Sequence, residues 1–102
     1  MSILHTVNKS PFERTSLDSC LKFAAPGAAV LLIEDGVYAA LRDTAATARV
    51  AEALARVKIY VLGPDLKARG FAPERLIPGI GILDYAGFVD LAADSAKVQA
   101  WL

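Results

Sequence analysis

The pattern of apolar and polar positions is centred on one stretch, from Gly27 to Ala40. After a Pro26-Gly27 break it runs through Ala28-Ala29-Val30-Leu31-Leu32-Ile33 without a charge, stops at Glu34-Asp35-Gly36, and resumes as Val37-Tyr38-Ala39-Ala40. An apolar run with branched residues and no alternation predicts a strand buried on both faces, as in a parallel sheet covered by helices. The acidic pair and Gly36 then fall at the carboxyl end of that strand, the edge of an open α/β sheet where ligands collect.

Elements of both periods flank this strand. Ile3-Leu4-His5-Thr6-Val7 predicts a short strand and Asn8-Lys9-Ser10-Pro11 a turn. Ser10-Pro11-Phe12-Glu13 has the form of a capping box, and Thr15-Ser16-Leu17-Asp18 offers a second helix start one turn later. From either start, Leu17, Cys20, Leu21 and Ala24 share one inward face. After a short helical turn at Val37–Leu41, Asp43 is placed to cap a helix from Thr44 to Arg56 with the stripe Thr47, Val50, Ala51 and Leu54. Val57–Leu62 reads as a third strand ended by Gly63-Pro64, and Asp65–Gly70 as one or two helical turns stopped by Gly70. A loop leads to a fourth strand near Ile80–Leu83, and Asp84 caps a last helix from Tyr85 to about Ala93. Asp94 to Gln99 reads as a polar tail closing on Trp101-Leu102. Strands alternating with helices in this order predict one α/β domain over residues 1–102, a three-layer, doubly wound, mostly parallel sheet.

Composition adds a constraint on assembly. The 102 residues are 55% hydrophobic with mean hydropathy +0.41, an apolar balance for a small domain whose surface should be mostly polar. The longest uncharged run, Phe23 to Ile33, is broken at Pro26-Gly27 and is too short to span a bilayer. The excess therefore points to apolar surface buried against other chains, and so to a subunit. Eleven basic and eleven acidic residues give zero formal charge, which argues against direct binding of nucleic acid or an anionic membrane. The amino terminus lacks the pattern of a signal peptide. One cysteine excludes an internal disulfide and fits a reducing cytoplasm, and one cysteine with one histidine makes a self-contained zinc site implausible. No cofactor or metal is expected.

Few residues carry chemistry. Cys20 is the only nucleophilic sulfur, and hence the only side chain able to hold a persulfide. A thiolate is normally stabilised by a helix amino terminus, a cation or a metal. Cys20 lies a turn into its helix with Lys22 as its one local cation, so its inward position favours a packed thiol. Glu34 and Asp35 are an acid–base or Mg²⁺ pair only if they converge, whereas neighbours on an extended chain diverge and Asp-Gly is a common turn. His5 has no partner nucleophile legible in the sequence, and a hydrogen-bonded histidine at a strand end is the commoner case. Gly79-Ile80-Gly81 precedes a strand instead of following one, and lacks the third glycine of a dinucleotide loop.

Several phrases together resemble the DsrH/TusB family: Leu4-His5-Thr6-Val7-Asn8-Lys9-Ser10-Pro11, Leu31-Leu32-Ile33-Glu34-Asp35-Gly36-Val37, Asp65-Leu66-Lys67-Ala68-Arg69-Gly70, Ile82-Leu83-Asp84-Tyr85 with Phe88-Val89, and Trp101. The resemblance spans nearly the whole chain. It implies a DsrE-like fold and a cytoplasmic heterohexamer with DsrE/TusD-like and DsrF/TusC-like paralogues. Such a complex relays persulfide sulfur from a TusA-like carrier to a DsrC/TusE-like protein. The destination is intracellular sulfur oxidation in the DsrEFH branch and 2-thiolation of the tRNA wobble uridine in the TusBCD branch. The principal persulfide cysteine of these complexes belongs to the DsrE/TusD-type subunit, after a strand and opening a helix. The corresponding place here, around Leu62-Gly63, has no cysteine, which implies a non-catalytic subunit of a sulfurtransferase complex. Cys20 suits the DsrH branch better than TusB-type chains that lack it, and so tilts the expectation toward sulfur oxidation. A TusB-like role, and a persulfide carried on Cys20 itself, stay open.

Overall fold

The computed structural model describes residues 3–102. Five strands form one all-parallel sheet: β1 (Ile3–Val7), β2 (Ala29–Leu32), β3 (Lys58–Leu62), β4 (Gly81–Leu83) and β5 (Lys97–Trp101), in the spatial order β4-β3-β2-β1-β5. Four helices connect them: α1 (Ser16–Phe23), α2 (Thr47–Ala53), α3 (Gly63–Ala68) and α4 (Tyr85–Asp94), with 3-10 turns at Glu34–Ala40 and Pro73–Arg75. Each of the four residues of β2 is buried, the expected state of a central strand covered on both sides.

The two faces of the sheet are covered unequally. On one, Val7, Val30, Leu32, Ile59 and Val61 pack with Leu17, Cys20 and Leu21 of α1, Val50 and Ala53 of α2, Leu66 of α3 and Val37, Ala39 and Ala40 of the first 3-10 turn. On the other, Leu4, Ala29, Leu31 and Leu62 are covered by Phe88, Leu91 and Ala92 of α4. That helix contains no fully buried residue. Its outward side leaves Tyr85 and Val89 60% and 65% exposed, and on β5 Val98, the register partner of Leu4, is 47% exposed. The apolar excess of the composition is thus partly on the surface.

The doubly wound α/β expectation holds, and the differences from it are local. β5 replaces the expected polar tail, because Lys97, Val98, Gln99, Ala100 and Trp101 pair in parallel with Ile3 to Val7. The alternation of Lys97 and Gln99 with Val98 and Ala100 has the period of a half-exposed strand, and only the polar content of this short stretch makes it look like a tail. The Ser10 box closes only a turn: its hydroxyl accepts from Phe12 N at 3.2 Å, and its carbonyl from Glu13 N and Arg14 N at 3.2 and 3.1 Å. α1 starts at the later site, at Ser16. Asp43 does not cap α2; it sits at φ +63°, and the entry is built from two threonine hydroxyls. Thr44 Oγ1 accepts from Ala46 N at 3.1 Å, while Thr47 Oγ1 accepts from Thr44 N at 2.9 Å and donates to Leu41 O at 2.9 Å. This delays the helix to Thr47 and turns Ala46, Val50, Ala53 and Val57 inward, leaving Ala51 exposed and Thr47 and Leu54 half-buried. The last helix matches its reading: Asp84 caps it, its carboxylate accepting from Gly87 N at 2.7 Å.

Candidate functional site

The winding of the chain singles out one place on the sheet. β3 leads into α3 on the first face and β4 leads into α4 on the second, so neighbouring strands send the chain in opposite directions from their carboxyl ends. A crevice at such a reversal is the usual ligand site of an open α/β sheet. Here it holds no cysteine. Leu62 is buried, Gly63 opens α3 directly, and a Cβ placed on Gly63 would lie 3.0 Å from Ile82 Cγ2. The position where the family resemblance puts a partner's sulfur-bearing cysteine is therefore occupied by a backbone packed closely against β4.

The neighbouring acidic turn is a structural joint. Glu34 N donates to Asp65 Oδ2 at 2.7 Å, which ties the end of β2 to the start of α3. Asp35 instead receives Arg69, whose Nε and Nη2 lie 3.1 and 2.9 Å from Oδ1, while Arg69 Nη1 also donates to Asp65 O at 3.3 Å. The backbone of Glu34 and the carboxylate of Asp35 are thus bound to different partners, which makes the turn a joint between β2 and α3. Asp65 and Arg69 were not read from the sequence as partners of this turn, since the pairing spans more than thirty residues. Gly36 is required by contact: a Cβ there would collide with the carbonyl oxygen of Val7. Among the described residues no group of three or more His, Cys, Asp or Glu side chains is arranged to hold a metal ion.

Cys20 lies away from this edge. It is wholly buried in the core of the first face, and burial pushes its thiol up to about 12. At neutral pH that group is a thiol and not the thiolate that attacks a persulfide donor. Three grooves, of about 470, 580 and 410 Å³, open on the surface, and Cys20 lines none of them.

His5 sits in the middle of β1 and not at its end. It is buried, and Trp101 Nε1 donates to its Nδ1 at 3.1 Å. Phe23 completes an aromatic trio, with ring centroids 6.4 Å from His5 and 5.8 Å from Trp101. Burial lowers the pKa of the imidazole, which keeps it neutral. The Gly79-Ile80-Gly81 segment leads into β4 and makes no loop after a strand.

Known proteins align with this geometry along its whole length. The chain is 37% identical over 99 residues to the Protein TusB of Erwinia tasmaniensis, covering 97% of this chain and all of the relative. It is 35% identical over 101 residues to the Protein TusB of Escherichia coli, with the same coverage. Among solved structures, the ychN protein of Escherichia coli superposes with a TM-score of 0.83 at 19% identity, over 98% of each chain. A Methanobacterium thermoautotrophicum protein of unknown function superposes at 0.74 and 16% identity, over 96% of this chain and 97% of its own. These two show the fold. The family described as DsrH like protein matches residues 9–98, and with the full-length TusB relatives this shows that the chain belongs to the DsrH/TusB family.

Proposed function

We propose that this chain is a docking subunit of a cytoplasmic sulfur-relay complex, in which a cysteine of a DsrE/TusD-like paralogue carries the persulfide and this chain carries none. The observation that bears the reading is the pairing of a thiol-free crevice at Gly63 with a single cysteine buried in the core. A subunit built this way contributes surface and not a nucleophile. The exposed Tyr85, Val89 and Val98 supply such surface, since contiguous exposed apolar groups mark interaction sites. The partners in this reading are DsrE/TusD-like and DsrF/TusC-like paralogues in a heterohexamer. TusA-like and DsrC/TusE-like carriers visit the assembled complex.

For the destination of the sulfur, the TusB-like branch is the better supported. The relatives that match the whole chain at 33 to 37% identity are TusB proteins. The tilt toward sulfur oxidation rested on Cys20, and its burial removes that ground, because a packing thiol says nothing of the pathway. The proposal is therefore that the complex supplies sulfur for 2-thiolation of the tRNA wobble uridine. Deleting this chain in its host and measuring thiolated wobble uridine tests it. Loss of the modified base, restored by the wild-type chain and by Cys20→Ala, is expected. Normal thiolation together with a defect in sulfur oxidation would move the assignment to the DsrEFH branch.

A further inference from the structure

The sole histidine and the sole tryptophan of the chain, 96 positions apart in the sequence, are hydrogen-bonded to each other across the neighbouring strands β1 and β5. An indole N–H is only ever a donor, so the 3.1 Å contact requires the imidazole Nδ1 to be a lone-pair acceptor and places the proton of the neutral ring on Nε2. His5 faces a groove of about 580 Å³ lined by Ile3, Phe23 and the segment Ala25–Ala28, which gives solvent a route to a side chain only 1% exposed. β5 is an edge strand, held by its ladder to β1, by this bond, and by the Ser16 hydroxyl, which donates to Leu102 O at 2.9 Å.

We propose that His5 and Trp101 form a proton-sensitive clasp on β5: a proton taken up from water at His5 Nδ1 turns the acceptor into a second donor facing the indole N–H, which breaks the bond and loosens the edge strand. The imidazolium is then a buried cation without a counter-charge. The charged side chains on the elements packed around it are Asp18 and Lys22 of α1 and Lys97 of β5, while β2 and the segment Ala24–Ala28 carry none. Asp18 is taken by Arg49 at 2.8 Å, and none of the three is hydrogen-bonded or ion-paired to His5. The lowered pKa of the buried imidazole agrees in direction: the neutral form is the one the fold holds, and acid opposes it. Loosened, β5 would uncover the edge of β1, a row of backbone groups able to pair with another chain.

Trp101 is the only indole, so its emission reports the clasp directly in the full chain. Emission and hydrogen exchange of the β5 amides, corrected for intrinsic rates, would be followed from about pH 7.5 to about pH 5, the range of histidine titration. The expected result is a one-proton change in emission with its midpoint below 6.5, accompanied by exchange in β5 that quickens about tenfold or more relative to β2, as leaving one buried donor unpaired should produce. His5→Gln keeps an acceptor and removes the titration, so both changes should vanish. Flat emission, unchanged β5 protection, or the same titration in His5→Gln would overturn the proposal. If His5→Gln does not fold, Trp101→Phe with the His5 ring protons followed by NMR decides instead. Without the indole donor the histidine midpoint should move up toward 6.5, and an unmoved midpoint would overturn the clasp.

Discussion

Replacing Cys20 with alanine removes one buried sulfur from a core that closes around it, so the expected cost is about 1 kcal/mol, measured by chemical denaturation. Alkylation of the native protein at neutral pH should be slow, since a thiol pushed up to about 12 holds almost no thiolate. Rapid labelling would mean that the core opens at α1. Gly36→Ala tests a different kind of fit, in which the added methyl meets the Val7 carbonyl and the backbone of β1 must yield. A loss of about 3 kcal/mol or more is expected, at the upper end of overpacking. The inward position of Cys20 was legible because Leu17, Leu21 and Ala24 repeat at helical spacing around it. The close approach at Gly36 was not, because the contact lies between β1 and the turn after β2, and Asp-Gly reads as a turn whatever faces it.

β5 is the element whose loss should matter most relative to how little its sequence announces it. Truncation after Ala100 removes Trp101 from the aromatic trio with His5 and Phe23 and also deletes the Leu102 carbonyl that receives Ser16. The expected loss is about 2 kcal/mol or more, within the range for deleting a large packed aromatic; an unchanged denaturation midpoint would mean that the contacts of Trp101 and Leu102 contribute nothing to the fold. Acid should act on the same element. The imidazole is held neutral with a lowered pKa, so the stability it lends is complete above the unfolded value of about 6.5 and is lost as pH falls through the folded value. The central strand, the order of the helices and the Asp84 cap could be read from apolar periodicity and local capping chemistry. β5 carried a weaker signal: Lys97 and Gln99 do alternate with Val98 and Ala100 at strand period, but over only four residues, in a stretch polar enough to read as a tail. The start of α2 was misplaced for a related reason: a threonine pair can take over backbone donors that an aspartate was expected to satisfy.

A sheet covered by three helices on one side and by α4 alone on the other is an asymmetric subunit, and its exposed Tyr85, Val89 and Val98 should be hidden when it assembles. Binding to paralogous subunits should then raise its melting temperature in a concentration-dependent way, because a partner that binds only the folded chain stabilises it by mass action. A monodisperse monomer whose melting temperature ignores those partners would count against the subunit reading. The most direct measurement concerns where the sulfur sits. The proposed complex, purified with DsrE/TusD-like and DsrF/TusC-like paralogues and loaded with polysulfide under native conditions, can be separated into intact chains by mass spectrometry without reductant. The account predicts one added sulfur on the DsrE/TusD-like chain and none on this one. A stoichiometric persulfide on Cys20, lost in Cys20→Ser together with transfer to the carrier, would contradict it.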